Sequence, residues 1–345
     1  MKFVDNLKYM GKKIYLIYFE WSNTAGNHAG MAYLANKLAQ DIPNVLLIKM
    51  IGGQKRWMRA LNLFYAIYFG IKLRFILKPN DKVFLMEYMA RSCFQDLIAK
   101  TFKSLGGNNE ISGLVHLAGS HLMEIYKEKS IIAKKMSHID RCIVLGSSLS
   151  DFFKKEIGYQ NVVTTFHYVD NEYYHAIESS DRENKVGVLV VGNTKRDFTL
   201  LQNLVKDQPD VQFDICQGRH DWSCYFGDCD NVKLHGFLDE DDLRSLMQQS
   251  DISLSVMEDT IGSNVIVTSL TTGMISVVSD VGSIRDYLTP DESFLCKNED
   301  DFVKALRYIS EHRDEIPAMK KKSVARGQLF AYSRFLQEFK RMFDM

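Results

Sequence analysis

The sequence contains two successive series of apolar, strand-like segments separated by helical segments. The first series opens with the continuous apolar run 13–19 and the second with 185–191. A run without polar alternation is typical of a parallel strand covered on both faces, and alternation with helices of about 10–15 residues indicates βαβ units. We therefore predict an α/β protein with two doubly wound sheets, whose strands lie at 13–19, 44–49, 82–86, 113–116, 141–145, 161–166, 185–191, 211–216, 232–234, 252–256, 275–279 and 293–296.

Length and composition fit a protein of two domains. The 345 residues suffice for two domains of about 150–170 residues each, and the polar stretch 171–184 separates the two series. We predict an N-terminal domain at 1–172, a C-terminal domain at 173–327 and a C-terminal helix at 328–345 that packs back on the N-terminal domain. Ligands of doubly wound sheets bind at the carboxyl ends of the strands, so the predicted site is the cleft between the domains.

Charge and cysteine content exclude several classes of protein. The 43 basic and 43 acidic residues cancel, whereas nucleic-acid binding needs a clearly basic domain, so we predict no nucleic-acid partner. The six cysteines form no CxxC pair, which favours a reducing compartment. Residues 1–13 lack the apolar core of a signal peptide, and the most apolar window, 61–77, is interrupted by Lys72 and Arg74 and is too short to span a membrane. The predicted location is cytoplasmic.

Two loops that follow the first strand of each series are candidate ligand-binding loops. In the segment 190–198, the cations Lys195 and Arg196 lie just before a predicted helix, where the helix dipole disfavours positive charge. This mismatch favours a diphosphate ligand over solvated basic residues, and the predicted contacts are Gly192, Asn193, Lys195 and Arg196. The loop 22–30 has Gly-x3-Gly spacing rather than GxGxxG, so an ordinary turn and a substrate loop containing Gly26, His28 and Gly30 remain open.

The segment 255–286 carries a resemblance to a known family. A strand ends at Glu258-Asp259, a loop of small residues, Gly262-Ser-Asn264, opens a helix, and the strand 275–279 leads to a second loop that ends in Gly282. This pattern resembles the signature NxLLEAMAxGxPVVxxxxGGxxE of retaining glycosyltransferases of the glycogen-synthase-like and mannosyltransferase-like type, known as glycosyltransferase family 4. The segments 141–152, 165–174 and 231–252 are similar to further motifs of that family, in the same order.

The resemblance implies a fold and an activity. The fold is the GT-B architecture, in which two Rossmann-like domains face each other across a cleft. The activity is retaining transfer of a hexosyl group from a nucleotide-diphosphate sugar to a glycan or lipid-linked acceptor, in cell-surface polysaccharide synthesis. No metal and no other cofactor is expected, because cations and helix N-termini neutralise the diphosphate. A non-catalytic sugar-nucleotide-binding relative and a sugar-nucleotide epimerase of the same fold are the alternatives.

The same resemblance implies site residues in both halves of the chain. It places the sugar near Glu258, Asp259 and His116, and a purely structural imidazole is the alternative for His116. It adds Gly262, Ser263, Asn264 and Thr268 to the donor-binding residues. The family usually carries two glutamates eight residues apart, and threonines occupy both positions here, Thr260 and Thr268. Thr268 therefore offers the nucleotide ribose a neutral hydrogen bond in place of a charge-assisted one.

The segment 55–78 combines bulky apolar and aromatic residues with positive charge. It contains six cations and no acidic residue, which fits an interfacial helix on an anionic membrane. A core helix with basic ends is the alternative. The resemblance favours the interfacial helix, since many enzymes of this type use lipid-linked acceptors at the inner leaflet, and it predicts a peripheral contact with the inner face of the plasma membrane through residues 55–78.

Overall fold

The structure of the chain, a computed structural model, describes residues 12–20, 26–50, 56–177 and 186–345. It contains two parallel sheets of six strands each, interleaved with helices along the chain. The predicted α/β class is therefore confirmed. Each of the twelve predicted strands is present, with ends that differ by at most two residues.

The first sheet is built from residues before 165. Its strand order is β2-β1-β3-β4-β5-β6, all parallel. The strands are β1 (Ile14–Phe19), β2 (Val45–Met50), β3 (Lys82–Leu85), β4 (Ile111–Val115), β5 (Arg141–Val144) and β6 (Val162–Thr164). The helices are α1 (Met31–Asp41), α2 (Arg56–Ile76), α3 (Gln95–Ser104), α4 (Gly119–Tyr126), α5 (Lys129–Met136) and α6 (Ser147–Asp151), which continues as a π-helical segment, Phe152–Ile157.

The second sheet has the order β12-β11-β10-β7-β8-β9, again all parallel. Its strands are β7 (Gly187–Val191), β8 (Gln212–Cys216), β9 (Val232–His235), β10 (Ile252–Ser255), β11 (Ile275–Ser279) and β12 (Ser293–Cys296). The helices are α7 (Phe198–Asp207), α8 (Ser223–Phe226), α9 (Glu240–Gln249), α10 (Asn264–Thr271), α11 (Ile284–Tyr287), α12 (Glu299–Glu311), α13 (Ile316–Gly327) and α14 (Tyr332–Met342), with short 3-10 helices at Arg313–Glu315 and Gln328–Phe330.

Burial of both faces explains why the strands are continuously apolar. Every residue of β4 and of β11 is buried, because helices on either side of a parallel sheet leave no face to solvent. Around β11 the core includes Val188, Phe213 and Leu254, each less than 1% exposed. Because all strands of a sheet point the same way, their carboxyl-end loops meet at one edge, where ligands of such folds bind.

The chain divides into two compact units. Unit 1 comprises Met1–Leu145 and Leu149–Thr165, and unit 2 comprises Gly146–Ser148 and Phe166–Met345. Within unit 2, Phe335 of α14 packs its ring against Phe166 and Tyr168, with centroid separations of 5.9 and 5.8 Å. These two aromatic residues precede the predicted boundary at residue 172. Packing of residues 328–345 on the rest of the predicted N-terminal domain stays a prediction.

Close packing around β4 generates a test of the fold of unit 1. A Cβ atom added at Gly113 would lie 2.7 Å from Cγ of Tyr88 and 3.1 Å from Cδ1 of Ile139. We expect Gly113→Ala to lower the free energy of unfolding by about 1–3 kcal/mol, the usual range for overpacking a core, as measured by urea denaturation. Gly236→Ala is the control, since no described atom lies within 4 Å of its added Cβ. Equal midpoints for both variants would contradict this packing.

Candidate functional site

The loop after β7 places two cations beside the amino end of α7. Gly192 has φ of +91°, and Lys195 has φ of +53°, a left-handed conformation that is unfavourable for a residue with a side chain. Asp197 caps α7, since its Oδ1 accepts a hydrogen bond of 2.9 Å from the Leu200 amide. The predicted helix start near Asp197 is thus confirmed, and Lys195 and Arg196 lie immediately before it.

Arg196 is a partly buried cation with an unused donor. Its Nη2 donates to the Val191 carbonyl at 2.8 Å and its Nε to the Gly192 carbonyl at 3.3 Å. Its Nη1 is buried and finds no hydrogen-bond acceptor among the described residues, and no carboxylate within that part of the chain pairs with it. Burial lowers the pKa of the guanidinium to about 10. A desolvated cation without a counter-charge is costly, and an anionic ligand would remove that cost.

Backbone hydrogen bonds join this loop to the loop after the neighbouring strand β10. Arg196 and Met257 form an antiparallel bridge, and the Glu258 amide donates to the Lys195 carbonyl at 2.9 Å. The Lys195 ammonium lies 3.8 Å from a carboxylate oxygen of Glu258, whose side chain is 58% exposed. The structure thereby brings together the predicted cations and the first of the predicted acidic residues.

The second acidic residue, Asp259, lies against the loop after β11. A Cβ atom at Gly282 would lie 2.7 Å from Oδ1 of Asp259 and 2.1 Å from the Thr260 carbonyl oxygen. The Ser283 amide donates to that same carbonyl at 2.7 Å. Only a glycine fits at this crossing, which explains why the sequence has glycine at residue 282. The loops after β7, β10 and β11 therefore form one connected edge of the sheet.

Gly262, Ser263 and Asn264 form the turn that begins α10. Gly262 has φ of +86°, and a Cβ atom there would lie 2.1 Å from the Tyr287 ring. The Ser263 hydroxyl accepts a hydrogen bond from the Ile266 amide at 3.3 Å and so caps the helix. Asn264 Oδ1 lies 3.0 Å from Nδ1 of His167. The turn is thus held by side chains from outside its own segment.

His167 and Tyr287 are residues that the sequence did not single out. The His167 amide donates to the Tyr287 hydroxyl at 2.9 Å, and its ring meets Asn264, so it connects the α10 turn to α11. Burial raises the pKa of Tyr287 well above its usual value, which keeps the hydroxyl neutral. The only sequence signal was the position of His167 inside the family-like segment 165–174, because its partners lie about 100 residues further along the chain.

Thr268 lies in the second turn of α10 and is 4% exposed. Its hydroxyl donates to the Asn264 carbonyl oxygen at 2.7 Å and lies 3.2 Å from the Val265 carbonyl oxygen. A threonine hydroxyl has one proton and two acceptor lone pairs. Since the proton is used within the helix, a ribose hydroxyl that meets Thr268 would have to be the donor.

The remaining predicted residues belong to unit 1. His116 follows β4, and its Nε2 lies 3.0 Å from a carboxylate oxygen of Glu87, which follows the neighbouring strand β3. Burial lowers the pKa of His116, but the charge of Glu87 and its hydrogen bond outweigh burial, and the net shift is upward. Glu87 was not predicted, since no local motif surrounds it. In sequence it is 29 residues from His116, and only the pairing of β3 with β4 brings the two together.

The glycine loop after β1 is described from residue 26 onward, and residues 22–25 of the predicted loop lie outside the described residues. Gly26 has φ of +84°, and the Gly30 amide donates to the Asn27 carbonyl at 2.9 Å. Gly30 is the first residue before α1. The His28 ring packs on Tyr33 of that helix, with 4.5 Å between the ring centroids. The loop therefore begins α1 at the carboxyl end of β1.

The chain is similar to known proteins in part of its sequence and in its whole fold. Residues 166–312 match the family described as Glycosyl transferases group 1. The chain is similar to sucrose-phosphate synthase from Thermosynechococcus elongatus, with a TM-score of 0.76 at 11% identity over 97% of this chain and 98% of that one. The chain has the GT-B fold, and its residues 166–312 match a glycosyltransferase family.

Two further solved structures support this fold. HepE from Anabaena, in complex with UDP, has a TM-score of 0.72 at 12% identity over 96% of this chain and 99% of that one. The lipopolysaccharide outer core galactosyltransferase WaaB has a TM-score of 0.66 at 15% identity, with the same coverage. No curated protein sequence matches the chain. At these identities the structural comparison establishes the fold, and the family match is confined to residues 166–312.

Proposed function

We propose that the protein is a glycosyltransferase that moves a hexosyl group from a nucleotide-diphosphate sugar to a glycan or lipid-linked acceptor, with retention of the anomeric configuration, in cell-surface polysaccharide synthesis. The observation that carries the donor assignment is Arg196, a partly buried guanidinium with an unused N–H and no carboxylate partner among the described residues. A diphosphate supplies both the missing acceptor and the missing charge. The binding of UDP by the fold relative HepE is consistent with such a donor.

In the proposed reaction, the bond between the anomeric carbon and the diphosphate breaks and a bond to an acceptor hydroxyl forms. The hydroxyl proton leaves with the diphosphate. Negative charge grows on the departing group, and Lys195 and Arg196 stabilise it together with the backbone amides at Ser263 and Asn264. We propose that no metal ion is needed for this neutralisation. Gly192 and Gly262 allow the backbone to approach the phosphates closely, and Asn193 contacts the donor from the same loop as Gly192.

The other predicted residues complete the proposed site. Glu258 and Asp259 lie near the transferred sugar, where a negative charge stabilises the positive charge that develops on the anomeric carbon. Thr268 accepts a hydrogen bond from the ribose, His116 contacts the sugar, and the loop with Gly26, His28 and Gly30 meets the acceptor. Retention is proposed from the resemblance of the segment 255–286 to retaining enzymes.

The first prediction concerns the diphosphate. We expect Arg196→Ala to weaken binding of the preferred nucleoside diphosphate by about 1–3 kcal/mol, the range for hydrogen bonds to charged groups. The donor is found first by thermal stabilisation with a panel of nucleotide sugars, and affinities follow by calorimetry. Lys206→Ala, at the other end of α7, is the control and should bind as the wild type does. Unchanged affinity in Arg196→Ala would remove this residue from the donor site.

The second prediction separates an enzyme from a non-catalytic binding protein, the alternative that the neutral Thr268 favours. Glu258→Gln and Asp259→Asn should each lower kcat by about 10-fold or more and change donor affinity far less, because their charge acts mainly in the transition state. Glu299→Gln and Asp300→Asn, an adjacent acidic pair in the first turn of α12, should leave kcat unchanged. A wild type that binds the donor but forms no product with any glycan or lipid extract would favour the binding protein.

We also propose that α2 contacts an anionic membrane. Its inner side packs on α3 through Gly70, where an added Cβ would lie 2.6 Å from Cβ of Thr101. Its outer face, which we define by the exposed side chains, is apolar and aromatic: Trp57, Leu63, Phe64, Ile67, Tyr68, Ile71, Phe75 and Ile76, of which Phe75 is 80% exposed. A core helix would bury such residues, so their exposure favours the interfacial alternative.

Positive charge flanks the outer face of α2. Arg59, Lys72, Arg74 and Lys78 are exposed, and the Lys72 ammonium lies over the Tyr68 ring at 5.7 Å from its centroid. Residue 55, the first cation of the predicted segment, lies outside the described residues. Within residues 56–177 and the other described ranges, no helix is long and apolar enough to cross a bilayer. An amphipathic helix with this charge fits a position in the interface of an anionic leaflet, and a lipid-linked acceptor would be reached there.

The membrane proposal predicts a charge-dependent association with lipid. Replacing Arg59, Lys72 and Arg74 by Gln should weaken co-sedimentation with phosphatidylglycerol-containing vesicles by about 100-fold, since each basic residue contributes about 1 kcal/mol at most. Replacing Lys304, Arg307 and Lys321, which are exposed in unit 2, controls for total charge and should have little effect. Vesicle binding that is equally strong with neutral lipid and at high salt would contradict the proposal.

A further inference from the structure

Unit 2 contains a polar cleft at the amino-end edge of its sheet. The cleft has a volume of about 550 Å³ and is lined by residues of α7, of the segment 223–231 and of the start of β8. Gln212 is the first residue of β8, and Asn231 directly precedes β9. Because the strands are parallel, Arg196 lies at the opposite, carboxyl-end edge of the same sheet. The cleft is therefore separate from the proposed donor site.

Tyr225 lines the cleft and is held in place by its neighbours. Its ring stacks on Phe198, with 5.5 Å between the ring centroids and 20° between the ring planes. Phe198 in turn packs edge-on against Trp222, which is buried in the core of unit 2. The Tyr225 carbonyl accepts a hydrogen bond of 2.7 Å from Nε2 of Gln202. Although it is fixed in this way, Tyr225 remains 42% exposed, so a ligand can reach an aromatic surface that is already ordered.

Two amide side chains of the cleft also have fixed orientations. Nδ2 of Asn231 donates to the carbonyls of Val205 and Gln208, at 2.9 Å in both cases. Both of its N–H groups are thus used, and its Oδ1 has no partner among the described residues. The amide of Gln202 is oriented by its bond to Tyr225, and its Oε1 has no partner in the same part of the chain. Each of the two oxygens can accept hydrogen bonds from hydroxyl groups.

The charges of the cleft restrict the ligands that fit it. Asp228, Asp230 and Lys206 line it, so two carboxylates oppose an anion such as a nucleoside diphosphate, and the ammonium opposes a cation. An apolar ligand would remove these groups from water without replacing their hydrogen bonds. Among the described residues, no cluster of acidic, histidine and cysteine side chains could hold a metal ion. A neutral ligand rich in hydroxyl groups, which both donate and accept, fits such a lining.

We propose that this cleft binds a neutral oligosaccharide. The apolar C–H face of a sugar ring packs on Tyr225, and the hydroxyl groups at the edge of the sugar bond to side-chain oxygens of Gln202, Asn231 and Asp228. The volume of the cleft lies within the range of about 300–1,000 Å³ that is usual for small-molecule sites. The inference goes beyond the proposed function, since binding here requires no sugar transfer. In the proposed transferase, the cleft would hold a part of the glycan that lies away from the reacting hydroxyl.

The test uses Cys224, an exposed free thiol that lines the cleft. The protein reacts with iodoacetamide in the presence of maltotriose, cellotriose, mannotriose or galactotriose, and alkylation of Cys224 is followed by site-resolved mass spectrometry. At least one trisaccharide should slow this alkylation, by about 10-fold when its concentration is about ten times its Kd, because the bound form shields the thiol. UDP should not slow it, since the carboxylates oppose an anion.

Two variants locate the protection in the cleft. Tyr225→Ala removes the aromatic surface and should raise the trisaccharide concentration needed for half-protection by about 10-fold or more. Asp228→Ala, at an exposed position, should raise it by about 10-fold, the effect of a lost hydrogen bond to a charged group. Tyr308→Ala is the matched control, because Tyr308 is 37% exposed and stacks on His312 but lies outside the cleft. It should be protected as the wild type is.

Two results would overturn the proposal. One is that none of the trisaccharides slows alkylation of Cys224, and the other is that Tyr225→Ala and Asp228→Ala are protected at the same concentrations as the wild type. The outcome is distinct from that of the transferase function. A protein that transfers sugar without any protection of Cys224 retains the proposed function and lacks this site. A protein that shows the protection but transfers no sugar to any acceptor has the site without the proposed function.

Discussion

The antiparallel bridge between Arg196 and Met257 is the interaction on which the edge of the second sheet depends. Parallel strands bring their carboxyl ends to one edge, but the loops that follow them have no partner unless they bond to each other. Here, the loop after β7 pairs with the loop after β10, and the latter is crossed by the loop after β11 at Gly282. A short network of backbone contacts thereby fixes side chains from three separate loops, and the precision of the site follows from it.

Charge pairing differs between two arginines of the second sheet's loops. Arg285 binds Asp280 through two hydrogen bonds of 2.8 and 2.7 Å, which satisfies both groups. Arg196, by contrast, donates to two backbone carbonyls, and its Nη1 finds no acceptor among the described residues. A buried donor without a partner lowers the stability of the folded protein. Such groups persist where binding compensates for them, which makes the unsatisfied cation more informative than any paired one.

Sequence reasoning succeeded where the signal is local. Apolar segments predicted each of the twelve strands found in the described ranges, and the cations before Asp197 were correctly placed ahead of a helix. It did not find Glu87 or His167, since each acquires its partner only when distant strands and loops come together. The sequence also does not show which hydrogen bond a hydroxyl makes. Thr268 donates to a carbonyl of its own helix, and this depends on its side-chain rotamer and burial rather than on its residue type.

The outer face of α2 has a consequence for the protein when no lipid is present. Eight large apolar side chains on one helix form a patch of a kind that soluble monomers seldom leave uncovered. A second copy of the chain carries the same patch, and a contact between identical faces obeys two-fold symmetry. If α2 binds a membrane as proposed, self-association through the same patch would compete with lipid for one helix.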